Sequence, residues 1–407
     1  MRAISPSASL AGVVSLVVAS GLAAQAAPPP VAPPPAAARA PEVRVTGQLL
    51  LHGFWNGDRV NNTDVPTIAL PAAAPGGLPD ENVGGALRQT RLGVNAFLEG
   101  FAGGNLRAEV DVDFFGGQQP SSGGRTFPLL RLRRAVMEQR WQHVHVLVGQ
   151  EGPPVLDVNP SSLAAIGTPL AASAGNLWLW LPQVRVTGLT GEPGTVRVGV
   201  EGAVLAPTAG EPVDAFNVQP DRAERSARPY LQARALVRWG EGDDAGELSL
   251  GGHLGWLAVA GGRRVPSRAA AVSVRAPLGR LVELRGEAFT GQALAGLGGG
   301  GIGQNLTVAD SALRTTAGWV QLLVRPTRAW EAGAIVGTDR PDVAAAPAPG
   351  QRPTADRIRN TVIGGHVHWR PEPVLVGLEA RRIETRYLGA PGLRSALQVS
   401  VVAGIVF

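Results

Sequence analysis

The feature that most constrains the fold is a two-residue alternation of apolar and polar side chains, repeated in short segments from residue 42 to the end of the chain. In the segment 105–114 one face is apolar, from Leu106 to Phe114. The opposite face carries four charged residues: Arg107, Glu109, Asp111 and Asp113. Burying four charges in a protein core would be costly. An apolar face toward lipid and a polar face toward water satisfy both sides, so the alternation predicts a transmembrane β-barrel.

Sixteen such segments can be delimited, each close to the ten or so residues that cross a bilayer at a tilt. They are 42–55, 87–99, 105–114, 127–139, 142–151, 180–189, 194–206, 227–239, 246–258, 266–277, 280–291, 313–325, 328–338, 357–369, 373–386 and 395–407. The count is even, as in bacterial barrels. The predicted fold class is therefore all-β, an antiparallel transmembrane barrel of 16 strands. A slip of one residue in register would exchange the inward and outward faces.

The connections between these segments alternate between long and short, from 56–86 and 100–104 to 370–372 and 387–394. This asymmetry is typical of outer-membrane barrels, which have short periplasmic turns and long outer loops. An odd number of connections then places both termini in the periplasm. Several tryptophans adjoin short turns, as in an interfacial girdle rather than a soluble core: Trp141, Trp239, Trp330 and Trp369.

Residues 1–26 are predicted to be a signal peptide, because Arg2 precedes an apolar stretch that ends at an Ala-x-Ala cleavage site. An uncleaved anchor helix is the alternative, but the stretch is short for a membrane span. Residues 27–41 are rich in Pro and Ala and predict a stiff periplasmic linker. The barrel is then assigned to residues 42–407.

The interior of a sixteen-stranded barrel is too wide for side chains to fill, so an aqueous channel is expected. The connection 152–179 is long and rather apolar for a loop in water. We expect it to fold into the lumen and narrow the pore. Packing over a neighbouring subunit is the alternative.

Charged residues of both signs are predicted to point into the lumen near the middle of the strands. The basic ones are Arg91, Arg131, Arg133, Arg185, Arg285 and Arg381, and the acidic ones are Glu109, Asp111, Asp113, Glu283, Glu287 and Glu379. Arginine forks bind carboxylates and phosphates, so these arginines are candidate anion-binding, pore-lining residues. Alternatively, the charges pair across strands and stiffen the wall. The order Arg131-Leu132-Arg133-Arg134 cannot place all three arginines on one face without a bulge.

Other motifs give weaker indications. Gly296, Gly298 and Gly301 match the spacing of a dinucleotide-binding fingerprint, but no βαβ unit surrounds them, so a flexible loop is expected. The pairs His143/His145 and His366/His368 have a spacing that can chelate a metal, although a polar rim is the better interpretation. The chain has no Cys, which excludes thiol chemistry and Cys-ligated metals. No catalytic residue, metal or cofactor is predicted. The net charge of +5 is spread out, so no nucleic-acid partner is predicted either.

Eight segments in serial order, together with the terminal Phe407, are similar to the DcaP-like group of outer-membrane porins. They are LRQTRLGVNA (87–96), AEVDVDFFGG (108–117), RLRRAVME (131–138), VLVGQ (146–150), NLWLWLPQVRVTG (176–188), GEAFTGQALAGLGGGGIGQN (286–305), IVGTDRP (335–341) and LEARRIETRY (378–387). The resemblance implies a sixteen-stranded barrel, assembled as a homotrimer, that admits small anions such as dicarboxylates. Members can also carry an N-terminal coiled coil, whereas residues 27–41 contain no heptads.

The sequence thus predicts an outer-membrane porin, in contact with outer-membrane lipid, for passive diffusion of small hydrophilic solutes and with a preference for small anionic solutes. It is not expected to be an enzyme. Two alternatives remain, a barrel hydrolase of the outer membrane and a plugged structural barrel.

Overall fold

The computed structural model describes residues 40–118, 127–155, 158–192, 194–211, 218–242, 245–307, 309–343, 357–389 and 392–407. The predicted signal peptide 1–26 lies outside the described residues. So does the predicted linker 27–41, except for its last two residues. The barrel unit spans Pro41–Phe407.

Almost all regular structure in the described residues is β-strand. The strands are β1 (Glu42–Asn56), β2 (Asn82–Ala86), β3 (Arg91–Phe101), β4 (Gly104–Asp113), β5 (Arg131–Arg140), β6 (Val144–Glu151), β7 (Leu181–Leu189), β8 (Arg197–Leu205), β9 (Tyr230–Trp239), β10 (Gly246–Ala258), β11 (Arg264–Leu278), β12 (Val282–Gln292), β13 (Arg314–Thr327), β14 (Trp330–Pro341), β15 (Arg357–Trp369), β16 (Val374–Tyr387) and β17 (Leu393–Val406). Short helical turns occur at Glu224–Ser226, Ala260–Gly262, Ala295–Leu297 and Gly300–Gly303. Within the described ranges, no helix is long and apolar enough to cross a membrane.

The strands form one closed antiparallel sheet: from β3 to β17 each strand pairs with the next, and β1 pairs with β17 on one edge and with β2 and β3 on the other. β2 and β3 pair with successive parts of β1: Ala86 lies opposite His52, and Arg91 lies opposite Gln48. They therefore occupy one position in the barrel, which has the predicted 16 positions. Phe407 and Gly47 exchange two backbone hydrogen bonds, so the start of β1 and the end of β17 meet at the same end of the barrel.

The two faces of the sheet differ as the alternation predicts. On β7, Val184 and Val186 are exposed, whereas Gln183 and Arg185 are buried. The indole rings of Trp330 and Trp369, on neighbouring strands and next to a short turn, are both exposed, with centroids 6.4 Å apart. The exposed face is thus apolar with aromatic residues near one end, which is the surface that a membrane-spanning barrel presents to lipid.

The predicted segments agree with the strands to within a few residues, and 246–258 and 357–369 agree at both ends. Sequence reasoning missed β2, because its Gly-rich sequence NVGGA shows little alternation. β5 contains the bulge without which its three arginines could not share a face: Asp111 pairs with Arg134 but Val112 pairs with Leu132, so Arg133 is the extra residue. This bulge allows the neighbouring arginines to turn toward the same side of the sheet.

Candidate functional site

The long connection between β6 and β7, called the segment 152–180 and described here without residues 156 and 157, is held by side chains from widely separated parts of the sheet and from the residues before β3. Its backbone N–H groups donate hydrogen bonds as follows: Val158 to Glu287 at 3.2 Å, Ser161 to Gln321 at 2.7 Å, Leu163 to Glu379 at 2.6 Å and Ile166 to Gln89 at 2.9 Å. All four acceptors are buried; Glu287, Gln321 and Glu379 belong to the polar face of the strands, and Gln89 lies just before β3. The segment 152–180 therefore lies against the face of the sheet opposite the exposed apolar one.

Apolar side chains of the same segment pack on apolar residues of that buried face. Leu163 and Ala164 form a cluster with Leu50, Leu375 and Val402. A second cluster joins Leu170 and Ala171 to Trp319 and Ile335. Burial of this surface explains why a long connection has so apolar a sequence.

Two further connections pack against this segment, and sequence reasoning identified neither. Ala69, in the connection after β1, shares a buried cluster with Ala174. Leu297, between β12 and β13, accepts hydrogen bonds from the backbone N–H groups of Trp178 and Leu179 at 3.0 and 3.2 Å. The expectation of a flexible loop at residues 296–301 is therefore wrong, because these residues are packed against the segment 152–180. At Gly296 a Cβ atom would lie 1.7 Å from the Thr208 carbonyl oxygen, so the glycine is required for close packing.

The first group of charged residues is centred on β4 and is called the β4 group: Glu109, Asp111, Asp113, Glu151, Arg91, Arg107, Arg131, Arg133 and Arg134. Arg131 binds Asp113 with its Nε at 3.0 Å, and Arg134 binds both Glu109, at 2.7 Å, and Glu151. Arg91 pairs with Asp111. Six of the predicted pore-lining residues thus lie together in this group, and the charges pair across strands.

Arg133, the bulge residue, differs from its neighbours in the β4 group. It lies 3.6 and 3.8 Å from the carboxylates of Asp113 and Asp111, and its guanidinium lies 4.6 Å from the ring centroid of Trp180. Its Nε and one terminal nitrogen are buried without a hydrogen-bond partner. Its contacts are thus longer-range than the direct hydrogen bonds of Arg131 and Arg134.

The second group surrounds β12 and is called the β12 group: Glu283, Glu331, Arg275, Arg285, Arg325 and Arg370. Glu283 contacts three arginines, with Arg325 at 2.9 Å, Arg275 at 3.4 Å and Arg285 hydrogen-bonded through its Nε. Arg325 and Arg370 also bind Glu331, at 2.9 and 3.0 Å. Four guanidinium groups therefore face two carboxylates, which leaves this group with a local excess of positive charge.

In both groups the guanidinium is more exposed than the carboxylate it binds. The side chain of Glu283 is 2% exposed, whereas those of Arg275 and Arg325 are 38% and 34% exposed. Asp111 is 5% exposed and its partner Arg91 is 32% exposed. The carboxylates thus lie beneath the arginines, and the surface that meets water is cationic.

A cavity of about 440 Å³ adjoins the β12 group. Among its lining residues are Arg238, Arg275 and Arg285, together with Asn159 from the segment 152–180. A terminal nitrogen of Arg285 lies 3.5 Å from the Asn159 carbonyl oxygen. The segment 152–180 and the exposed arginines therefore border the same open space.

The remaining predicted arginines lie apart from these groups and are covered. Arg185 is buried beside Gln183 and lies 3.7 Å from Glu201. Arg381 is buried and binds Gln398 at 2.8 Å. Both are inward on their strands, but they offer little surface to a solute.

Sequence reasoning missed several charged residues that the structure brings into these groups: Arg134, Glu151, Arg275, Arg325, Glu331 and Arg370. Arg275 and Arg325 lie near the ends of long strands, and continuing the alternation to those ends would have placed them inward. The pairing partners depend on strand register, which one sequence does not reveal.

The pair His366/His368 stacks with ring centroids 4.0 Å apart, and with Glu331 it offers three ligand atoms within 4.8 Å of one another. His368 is engaged on both sides: Nε2 contacts Glu379 at 2.9 Å and Nδ1 contacts Arg370 at 2.7 Å. The carboxylate of Glu331 is already neutralised by two arginines. This arrangement is that of an ion-pair network, and a further cation there would meet two positive charges.

No family model and no curated protein matches the sequence. Among solved structures, the outer-membrane channel DcaP of Acinetobacter baumannii is 15% identical, with 90% of this chain and 98% of that chain covered at a TM-score of 0.65. The anion-selective porin of Comamonas acidovorans is 12% identical, with 90% and 100% covered at 0.55. A trimer form of OmpT, an outer-membrane protein of Vibrio cholerae, is 12% identical, with 91% and 100% covered at 0.50. The chain therefore has the sixteen-stranded barrel fold of the outer-membrane porins, as its resemblance to the DcaP-like group predicts.

Proposed function

We propose that the chain is an outer-membrane porin through which small hydrophilic solutes diffuse passively, with a preference for anions such as dicarboxylates. The observation that carries the anion preference is the layering of charge, in which partly exposed guanidinium groups cover buried carboxylates. A solute in the lumen would meet the arginines first. The anion-selective porin among the structures of the same fold is consistent with this preference.

The β12 group supplies the surface on which an anion would be held. Arg275 and Arg285 share the carboxylate of Glu283 with Arg325, which also binds Glu331, so part of the hydrogen-bonding capacity of Arg275 and Arg285 remains for a solute. A solute carboxylate would accept bidentate hydrogen bonds from one guanidinium and pass to the next. Conduction requires binding that is favourable but weak and repeated, and several arginines along one wall provide it.

We further propose that the segment 152–180 is the constriction of the pore. It reaches β12, β13 and β16 and the residues before β3, which belong to distant parts of one closed sheet. A single connection makes contacts of that kind by crossing the lumen. Asn159, whose carbonyl oxygen lies 3.5 Å from a terminal nitrogen of Arg285, would then lie beside that arginine at the narrowed opening.

The orientation and assembly in this proposal follow the porin architecture. Both termini would lie in the periplasm, since short turns and chain ends share one end of the barrel. We propose a homotrimer on the resemblance to the DcaP-like group and on the trimer form of a structure with this fold. Among the described residues, no observation supports a hydrolytic function. Passage by diffusion needs no catalytic group.

The proposal is tested by single-channel recording in planar bilayers, with the reversal potential measured under a salt gradient. We expect stepwise currents and a reversal potential that shows anion preference. The double variant Arg275→Gln/Arg285→Gln should lower the anion-to-cation permeability ratio severalfold, because two exposed charges leave the wall. Arg382→Gln, on the exposed outer face, is the matched control. Folded protein without channels would refute the porin function, and an unchanged ratio in the double variant would refute the role of these arginines.

A further inference from the structure

The outward-facing charges of the barrel are concentrated on one side and at one end. On the exposed face of the described strands, β1 to β10 carry no charged side chain within the alternation. Arginines appear on that face only from β11 to β16, near the long connections: Arg264, Arg268, Arg314, Arg340, Arg359 and Arg386. Arg382 lies there too, but Glu384 neutralises it at 2.9 Å.

Three of these arginines line an open groove of about 590 Å³ on β11 to β14: Arg268, Arg314 and Arg340. Strand pairing brings them together, because Gln292 lies opposite both Arg268 and Arg314, and Arg340 lies opposite Thr316. Two strand spacings, about 10 Å, therefore separate Arg268 from Arg314. Among the described residues, none of the three guanidinium groups has a hydrogen bond or an ion pair.

The floor of the groove offers small polar and apolar side chains. Thr290 and Thr316 lie side by side, with their hydroxyl oxygens 3.2 Å apart. Two residues further toward the middle of each strand, the exposed face carries Ala288 on β12 and Gly318 on β13, and Val320 follows on β13. A cationic groove thus continues directly into the apolar band.

We propose that this groove binds the phosphate groups of a phosphorylated lipid of the outer leaflet. Unpaired guanidinium forks bind phosphate oxygens bidentately, and the threonine hydroxyls supply further donors. The adjoining small residues leave room for the lipid's acyl chains against the wall. This inference rests on the proposed outer-membrane location, which puts the long-connection end of the barrel at the outer leaflet.

A second copy of the chain is a poorer fit to the groove than a lipid is. An interface between copies would need acidic side chains on the exposed face. On the described strands that face offers only Glu384, which is already paired; Asp342, just after β14, lies at the edge of the groove itself. Charge complementarity therefore favours an anionic lipid over another barrel.

The test measures lipid binding to the full-length protein in detergent micelles. Diphosphorylated lipid A, the glucosamine-based lipid of outer leaflets, is titrated against the protein beside the same lipid with its phosphates removed. We expect the phosphorylated form to bind roughly tenfold or more tightly. The triple variant Arg268→Gln/Arg314→Gln/Arg340→Gln should lose that preference, whereas Arg382→Gln should keep it. The triple Lys variant retains the charge, so it should keep most of the preference even if the Gln variant folds poorly.

Three outcomes would overturn the inference. If the triple Gln variant bound the phosphorylated lipid as tightly as the parent protein does, the groove would be excluded as the binding site. If millimolar inorganic phosphate displaced the phosphorylated lipid, the groove would be a site for free anions and not for a lipid. Loss of oligomers without loss of lipid affinity would make this face an interface between copies. Channel recordings on the same variants should be unchanged, so a protein that binds lipid but forms no channel refutes the porin proposal alone.

Discussion

The carboxylate of Glu379, on β16, accepts a hydrogen bond of 2.6 Å from the backbone N–H of Leu163, which lies 216 residues earlier in the chain. The same carboxylate accepts hydrogen bonds from the Ala164 N–H at 3.0 Å and the Ser162 hydroxyl at 2.6 Å. His368 contacts it from the neighbouring strand. Glu379 therefore anchors the segment 152–180 to the barrel wall through three hydrogen bonds.

Replacing Glu379 by alanine should loosen the segment while leaving the barrel closed. Each buried N–H that loses its acceptor costs about 1–3 kcal/mol, which is enough to populate displaced positions of the segment. We expect a larger mean single-channel current with frequent brief fluctuations, recorded in planar bilayers. Glu379→Gln keeps one acceptor oxygen and should be intermediate. Glu384→Ala, on the same strand but facing outward, is the control. If the current of every variant fluctuated as little as that of the parent protein, Glu379 would not hold the segment 152–180 in place.

Glu283 should oppose anion preference, because it neutralises part of the charge on three partly exposed arginines. Glu283→Gln removes the negative charge and keeps the shape, so the β12 group becomes more cationic. We expect the anion-to-cation permeability ratio to rise, measured from the reversal potential, and Arg325→Gln to lower it. The effect should shrink at high salt, where charges are screened. A fall in the ratio for Glu283→Gln would show that the arginines need this carboxylate for their position.

Local alternation was sufficient to predict every described strand except β2, and the faces of those strands, because a residue's side of a strand depends only on its neighbours in sequence. Asp111 and Val110 illustrate this: one is buried and the other exposed, as their order requires. The bulge at Arg133 was also predictable, because three arginines around one leucine break the alternation.

The anchoring of the segment 152–180 could not be predicted in the same way. Gln89, Gln321 and Glu379 stand far apart in the sequence, and nothing local distinguishes them from other inward polar residues. The outward groove is a similar case. Arg268, Arg314 and Arg340 are single residues near strand ends, so no basic run marks them, and only strand pairing brings them together.

Deleting Arg133 should restore a regular strand and leave the barrel folded. Arg131 would remain inward, Leu132 outward and Arg134 inward, which is the alternation that the β4 pairing requires. We expect a heat-modifiable, folded barrel whose unfolding free energy in urea changes by no more than about 2 kcal/mol. The loss of the contact with Trp180 accounts for part of that change.

The matched control is deletion of Met137, four residues further along the same strand and outside the bulge. Met137 faces outward, and its removal would turn Glu138 toward lipid. We expect this variant not to fold, since a shift of one residue exchanges the two faces. Equal folding of the two deletion variants would show that the register of β5 is not set by its alternation.

The lack of a side chain at Gly337 should be required for the segment 152–180 to pack against the barrel wall. A Cβ atom at Gly337 would lie 2.4 Å from the Ala174 carbonyl oxygen and 3.0 Å from the Trp319 Cβ, so the segment must move when a side chain is added. We expect Gly337→Ala to make the segment more susceptible to added protease, scored by fragment mass, with the barrel itself still resistant. Gly53→Ala is the control, because its nearest neighbour, the Val401 carbonyl oxygen, lies 3.9 Å away. Cleavage of both variants at the rate of the parent protein would mean that the close contact between Gly337 and Ala174 does not hold the segment in place.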